Sequence, residues 1–171
     1  MNKINIKEIV ENLVDTFLYA GKVSLELRKK GLTKEIKSDN TPVSNGDLEV
    51  NKIIIKKILN LTPNIPIISE ETSDNKSLKD LNIFWLIDPI DGTYDYINNL
   101  EEFTINAGLI IDKQPAAGLI YAPAKKRMFY SYGNDLAFEL LDGKPIKLNH
   151  ANKFNKDEIK FVSYSNEIKP E

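Results

Sequence analysis

A change of hydrophobic period near residue 62 limits what this chain can become more than any other feature. Before it, apolar residues recur at three-and-four spacing; after it, they come in short β-branched or aromatic runs divided by turn formers. Ile6, Ile9, Val10, Leu13, Phe17, Ala20 and Val23 or Ser24 form one stripe, with Lys and Glu at many of the other positions. The spacing predicts an amphipathic helix from Ile6 to about Lys30, which Gly31 stops. Lys37 to Gly46 is rich in turn formers. Val50, Ile54 and Ile58, flanked by Ile53 and Leu59, then restore helical spacing up to the break at Asn60-Leu61-Thr62-Pro63.

Beyond that break, Ile65 to Ser69, Phe84 to Asp88, Thr104 to Ile111, Ala117 to Tyr121, Arg127 to Tyr132 and Leu136 to Leu141 read as strands. The connections Asp112-Lys113-Gln114-Pro115 and Asp142-Gly143-Lys144-Pro145 suit hairpins, so much of the sheet is expected to be antiparallel. Helices followed by a run of strands predict an α+β fold: two N-terminal helices packed on a largely antiparallel sheet. No repeat, low-complexity tract or linker appears before about Leu148, so residues 1–148 are expected to form one α+β domain. A polar stretch from Asn149 and one more strand-like run, Phe161 to Ser165, suggest that 149–171 begins an incomplete second α/β domain.

Composition excludes several functions. The 171 residues suffice for a core, and 23 basic against 25 acidic residues give a net charge of −2, so no global field favours nucleic acid or an anionic membrane. The absence of cysteine removes disulfides, thiolate metal sites and cysteine nucleophiles. No apolar stretch approaches the roughly 18 to 20 residues that span a bilayer, and the polar start lacks a signal-peptide core. The expected location is the cytoplasm, with no nucleic-acid partner and no integral membrane segment.

Chemistry concentrates at strand ends. The run from Phe84 to Thr93 places Asp88 and Asp91 where an apolar stretch meets a turn, and Ile65 to Glu71 delivers Glu70 and Glu71 at the end of another. Mg²⁺ prefers oxygen ligands and keeps several waters, which suits Glu70, Asp88 and Asp91, with the Ile90 carbonyl on the same path. Carboxylates about 4 Å apart repel by roughly 4 kcal/mol per pair at an effective dielectric near 20, so such a cluster attracts a cation. Gly92-Thr93 lets backbone N–H groups approach a phosphate. Plainer readings stay open. Asp-Pro and Asp-Gly are common turn material, Glu70-Glu71 suits a solvated loop, and Asp47 suits a helix N-cap. His150 reads as a surface residue, and Trp85 and Phe103 as core.

Together, Glu70-Glu71, the run Trp85 to Thr93 (WLIDPIDGT) and Phe103-Thr104-Ile105-Asn106 resemble the lithium-sensitive, magnesium-dependent phosphatases of the inositol monophosphatase family. The resemblance runs from the first helix to about Tyr132. Lys37 to Ser44 (KSDNTPVS) and Glu102 to Asn106 (EFTIN) are more similar to the 3'(2'),5'-bisphosphate nucleotidases of that family than to its inositol monophosphatases. The resemblance implies the N-terminal part of the sugar-phosphatase-like αβαβα fold. It also implies removal of the 3'-phosphate of 3'-phosphoadenosine 5'-phosphate, a by-product of sulfate activation and sulfotransfer, to give AMP. By resemblance, Glu70, Asp88, Asp91 and the Ile90 carbonyl would bind Mg²⁺, and with Gly92 and Thr93 they would contact the small-molecule phosphate ester. Asp47 and Thr93 would activate the attacking water. An inositol monophosphatase-type activity, or a non-catalytic remnant that binds metal or nucleotide, is the alternative.

The chain departs from the family pattern. Ser44-Asn45-Gly46-Asp47 stands where Thr-x-Ala-Asp is usual, and Tyr96 where phenylalanine is usual. The family's later Trp-Asp-x-x-Ala-Gly motif is missing, Trp85 being the only tryptophan. Without the part of the fold that carries it, an apolar face is expected to lie uncovered and to promote self-association.

Overall fold

The structure, a computed structural model, describes residues 5–37, 41–72, 81–133 and 135–149. Helix α1 spans Ile6–Lys30; Asn5 caps it by accepting from the Glu8 N–H at 3.3 Å, and Gly31 ends it at φ 98°. A short antiparallel hairpin follows, β1 Lys34–Ile36 and β2 Pro42–Ser44, leading into helix α2, Asn45–Leu61. Strand β2 lies inside the run of turn formers and β1 just before it, and the sequence pattern predicts neither. Strands of three residues are too short for alternation to register.

Strands β3 Ile67–Ser69, β4 Ile83–Asp91, β5 Thr104–Ile111, β6 Gln114–Ala122, β7 Arg127–Tyr132, β8 Ala137–Leu141 and β9 Lys144–Lys147 form one seven-stranded sheet in sequence order. The β3–β4 pair is parallel and the other pairs are antiparallel. This is the expected α+β architecture. The Asp112-Lys113 and Asp142-Gly143 turns hold both central residues at positive φ, which matches the right-handed twist of paired strands. Strand β9 begins at Lys144, inside the stretch assigned to the turn. It tolerates Pro145 because it is the sheet edge. A five-residue helix α3, Thr93–Ile97, is too short to have shown a period.

Both long helices lie on the same face: α1 packs on α2, β6 and β7, and α2 on β4. Alternation along β4 sends Trp85 and Ile87 into the core with Leu13, Phe17, Ile54 and Ile58, all at most 1% exposed. Trp85 Nε1 donates to Thr62 Oγ1 at 3.1 Å, so the largest core side chain leaves no polar atom unpaired. Trp85 and Phe103 are core residues, as expected. Phe84, Leu86, Ile110, Ile120 and Phe129 alternate onto the opposite face, where Leu86 is 47% and Ile120 49% exposed. His150, the expected strand Phe161 to Ser165 and nearly all of the expected second unit fall outside the described residues.

Candidate functional site

Asp88 and Asp91 share a strand at a spacing that should point them to opposite faces. A bulge prevents this. Asp88 pairs with Asn106 but Asp91 pairs with Thr104, so β4 spends one more residue than β5 between those rungs. Pro89, which has no N–H to donate, falls inside the irregular segment. The extra residue brings Asp91 back toward the side of Asp88, and Asn106 Nδ2 donates to Asp91 Oδ2 at 3.1 Å.

Gly92 then takes φ 90°, and a Cβ there would lie 2.7 Å from the Glu102 carbonyl oxygen, so neither conformation nor space admits a side chain. Helix α3 starts at the next residue, and its first N–H groups, Thr93 included, have no carbonyl within the helix. A cleft of about 290 Å³ lined by Asp91, Gly92, Phe103 and Lys125 adjoins this turn. A larger groove of about 550 Å³, between α1 and the turns after β6 and β8, holds none of the candidate acids.

The parallel β3–β4 pairing brings in Glu70, whose N–H donates to the Ile87 carbonyl at 3.1 Å. Burial first, then the charges of Glu70 and Asp91, push the Asp88 carboxyl up to about 7. Among the described residues, Asp88 Oδ1 is buried with no hydrogen-bond partner. Lys37 Nζ lies 2.8 Å from Glu71 Oε1 and 3.4 Å from Glu70 Oε1. Burial would lower its pKa, but these carboxylates outweigh that and hold the ammonium above its ordinary value. Burial raises the Glu71 carboxyl, with Lys37 opposing. Lys37 opens the KSDNTPVS run, yet nothing in that run marks a lysine as belonging to an acidic site.

Asp47 is not the N-cap. Helix α2 begins two residues before it, Ser44 caps the helix through Oγ, and Asp47 occupies the third helical position. Its Oδ2 accepts from the Ser44 N–H at 2.9 Å and from Ser44 Oγ at 2.6 Å, completing a capping box. Its Oδ1 accepts from Thr93 Oγ1 at 3.1 Å, and that hydroxyl is also 3.0 Å from the Ile90 carbonyl. One carboxylate therefore does two jobs, with one oxygen fastened to its own helix and the other turned toward β4. Glu71 and Asp47 feel each other's charge, which joins the two groups of acids.

The two departures near Asp47 touch each other. A Cβ on Gly46 would lie 2.3 Å from the Tyr96 hydroxyl oxygen, which donates to the Ser24 carbonyl at 2.7 Å. Two ring carbons of Tyr96 would lie 2.6 and 2.7 Å from the same Cβ, so the ring and its hydroxyl, held by Ser24, together exclude alanine at 46.

The structure thus gathers Glu70, Asp88 and Asp91 at the ends of β3 and β4, and sets Asp47, Thr93 and the Ile90 carbonyl beside them. Among the described residues, no group of three or more His, Asp or Glu is already drawn together as a metal site. The all-oxygen donor set and the unpartnered Asp88 Oδ1 fit a hard divalent cation.

Comparison with known proteins finds relatives along most of the chain. The 3'(2'),5'-bisphosphate nucleotidase CysQ of Aggregatibacter actinomycetemcomitans is 32% identical over 145 residues, covering 82% of this chain and 53% of that protein. CysQ of Buchnera aphidicola is 34% identical over 162 residues, covering 88% of this chain and 61% of that protein. The chain spans little more than half the length of these relatives. Among solved structures, CysQ of Bacteroides thetaiotaomicron superposes with a TM-score of 0.65 at 26% identity, covering 85% of this chain and 55% of the other. An IMPase of Thermotoga maritima gives 0.70 at 23% identity, with 84% and 55% covered, a likeness of fold alone. Residues 5–169 match the inositol monophosphatase family, and the chain belongs to it.

Proposed function

We propose that this chain carries the metal- and phosphate-binding half of a Mg²⁺-dependent phosphate monoester hydrolase whose substrate is 3'-phosphoadenosine 5'-phosphate, cleaved to AMP and phosphate. The observation that carries this reading is the split use of Asp47, bound to Ser44 by one oxygen and to Thr93 by the other, beside the Glu70, Asp88 and Asp91 carboxylates. The nucleotidase names of the relatives support the choice of substrate.

In this reading Glu70, Asp88, Asp91 and the Ile90 carbonyl hold Mg²⁺. Bound there, the ion supplies charge stabilisation to the phosphoryl oxygens and the leaving alkoxide and lowers the pKa of a coordinated water. Gly92 and Thr93 present backbone N–H groups to the phosphate. The Thr93 hydroxyl donates to Asp47 Oδ1, which leaves its lone pairs to accept from the attacking water and aim it at phosphorus. Because the capping box fixes Asp47, this pair requires little reorganisation. We place the reaction in the cytoplasm; no described helix is long and apolar enough to cross a membrane.

The test is phosphate release from 3'-phosphoadenosine 5'-phosphate and from inositol 1-phosphate, with Mg²⁺ or with chelator, using Asp88→Asn as control. Mg²⁺-dependent release from the nucleotide alone, lost by at least a hundredfold in Asp88→Asn, is expected. Release from inositol 1-phosphate alone would replace the nucleotidase reading with a sugar-phosphate one. Because the chain covers only 53% of its first relative, a second reading is a binding remnant: calorimetric Mg²⁺ uptake without turnover.

A further inference from the structure

Asn106 lies opposite Asp88 in the β4–β5 register and donates to Asp91, so one amide touches both sides of the bulge. A carboxylate only accepts, so the amide must turn its nitrogen to Asp91, which fixes the direction of its oxygen. That Oδ1 is buried and has no partner among the described residues, and neither does Asp88 Oδ1 on the facing strand. Two unpaired buried acceptors at neighbouring cross-strand positions are costly in a core and normally avoided. They are accounted for if both are reserved for donors that arrive with a hydrated cation, since a hard divalent ion keeps several waters.

We infer that Asn106 is a positioning residue of the metal site: Nδ2 fixes the rotamer of Asp91, and Oδ1 is the acceptor for a water carried by the cation. This rests on the metal reading of Glu70, Asp88 and Asp91. Asn106 does not reach the reacting atoms in this role; it acts through Asp91 and through the water shell of the cation. Neither chain partner of the amide explains it structurally, because its one hydrogen bond goes to an exposed carboxylate and its oxygen stabilises nothing in the metal-free chain.

The experiment is a calorimetric Mn²⁺ and Mg²⁺ titration of the whole chain, with melting of the chelator-treated protein alongside. Asn106→Ala should bind about tenfold more weakly, the usual effect of losing an outer partner of a metal ligand, while the metal-free melting temperature does not fall. Asn106→Ser, too short to span the distance to Asp91, should behave in the same way and serves if the alanine variant folds poorly. Combining Asn106→Ala with Asp91→Asn should weaken binding by less than the sum of the two single losses. Unchanged affinity in both Asn106 variants, additive losses, or a loss matched by a lower metal-free melting temperature would overturn the inference. Absence of binding by the unmodified chain would overturn the metal reading itself, and this inference with it.

Discussion

Buried polar groups are treated in opposite ways at the two ends of this molecule. Under the helices, Trp85 Nε1 donates to Thr62, Ser69 Oγ to Asn51 at 2.7 Å, and Tyr96 to Ser24. At the open end of β4 and on α3 just beyond it, Asp88, Asn106 and Asp95 each keep a buried oxygen without a partner among the described residues, and like charges crowd Asp88. The first region is arranged for stability. The second gives up stability where a ligand can restore it, so removing side chains from the two regions should have effects of opposite sign.

The largest effect belongs to the covered region. Trp85→Ala should destabilise by about 3–5 kcal/mol, read from denaturant midpoints, and a shift below 1 kcal/mol would mean the helix-covered core is not the main source of stability. Next comes Gly46→Ala, which forces a methyl against the Tyr96 hydroxyl and ring and should cost about 1–3 kcal/mol, part of it recovered in the Gly46→Ala/Tyr96→Phe double variant, whose ring is no longer tied to Ser24. Additive losses would separate the two positions.

At the acidic end the sign reverses. Asp88→Asn should raise the stability of the metal-free chain, by on the order of 1 kcal/mol above pH 7, while removing the stabilisation that Mg²⁺ gives. A carboxyl whose folded pKa is raised favours its protonated form in the native state. Its contribution is therefore full below the unfolded value of 3.8 and is lost as pH rises through about 7. The raised Glu71 carboxyl acts in the same direction. Chelator-treated protein should melt higher at pH 5 than at pH 8, and Mg²⁺ should narrow that gap; a flat profile would dissolve the contrast between the regions.

The smallest effect on stability is expected on the uncovered sheet face. Ile120→Lys should shift stability by no more than about 0.5 kcal/mol yet reduce self-association in sedimentation at rising concentration. A chain that is monomeric before the change would remove that face from consideration.

The regular parts of this arrangement were legible because periodicity reports them over long windows. Helix α1 was readable from its stripe, and strands β5 and β7 from their β-branched and aromatic runs. The short pieces were not. Hairpin β1–β2, helix α3 and strand β9 depend on tertiary contacts that no three- to five-residue pattern encodes. Among the candidate site residues, Glu70, Asp88, Asp91 and Thr93 stood out through the DPIDGT run and its partner acids. The double duty of Asp47 did not, because an aspartate near a helix start suits a cap equally well. Lys37 and Asn106 enter only through the fold, one across a hairpin and the other across a β-bulge.

The fit between Gly46 and Tyr96 also bears on how such a sequence can vary. Tyr96 is fully buried and tied to the Ser24 carbonyl, and its ring carbons and hydroxyl together fill the space that a side chain at 46 would need. A larger residue there can enter only if that ring shifts and the bond to Ser24 is given up. The residue next to Asp47 is thus set by packing against the far side of the helix, which restricts the substitutions that the start of α2 can accept.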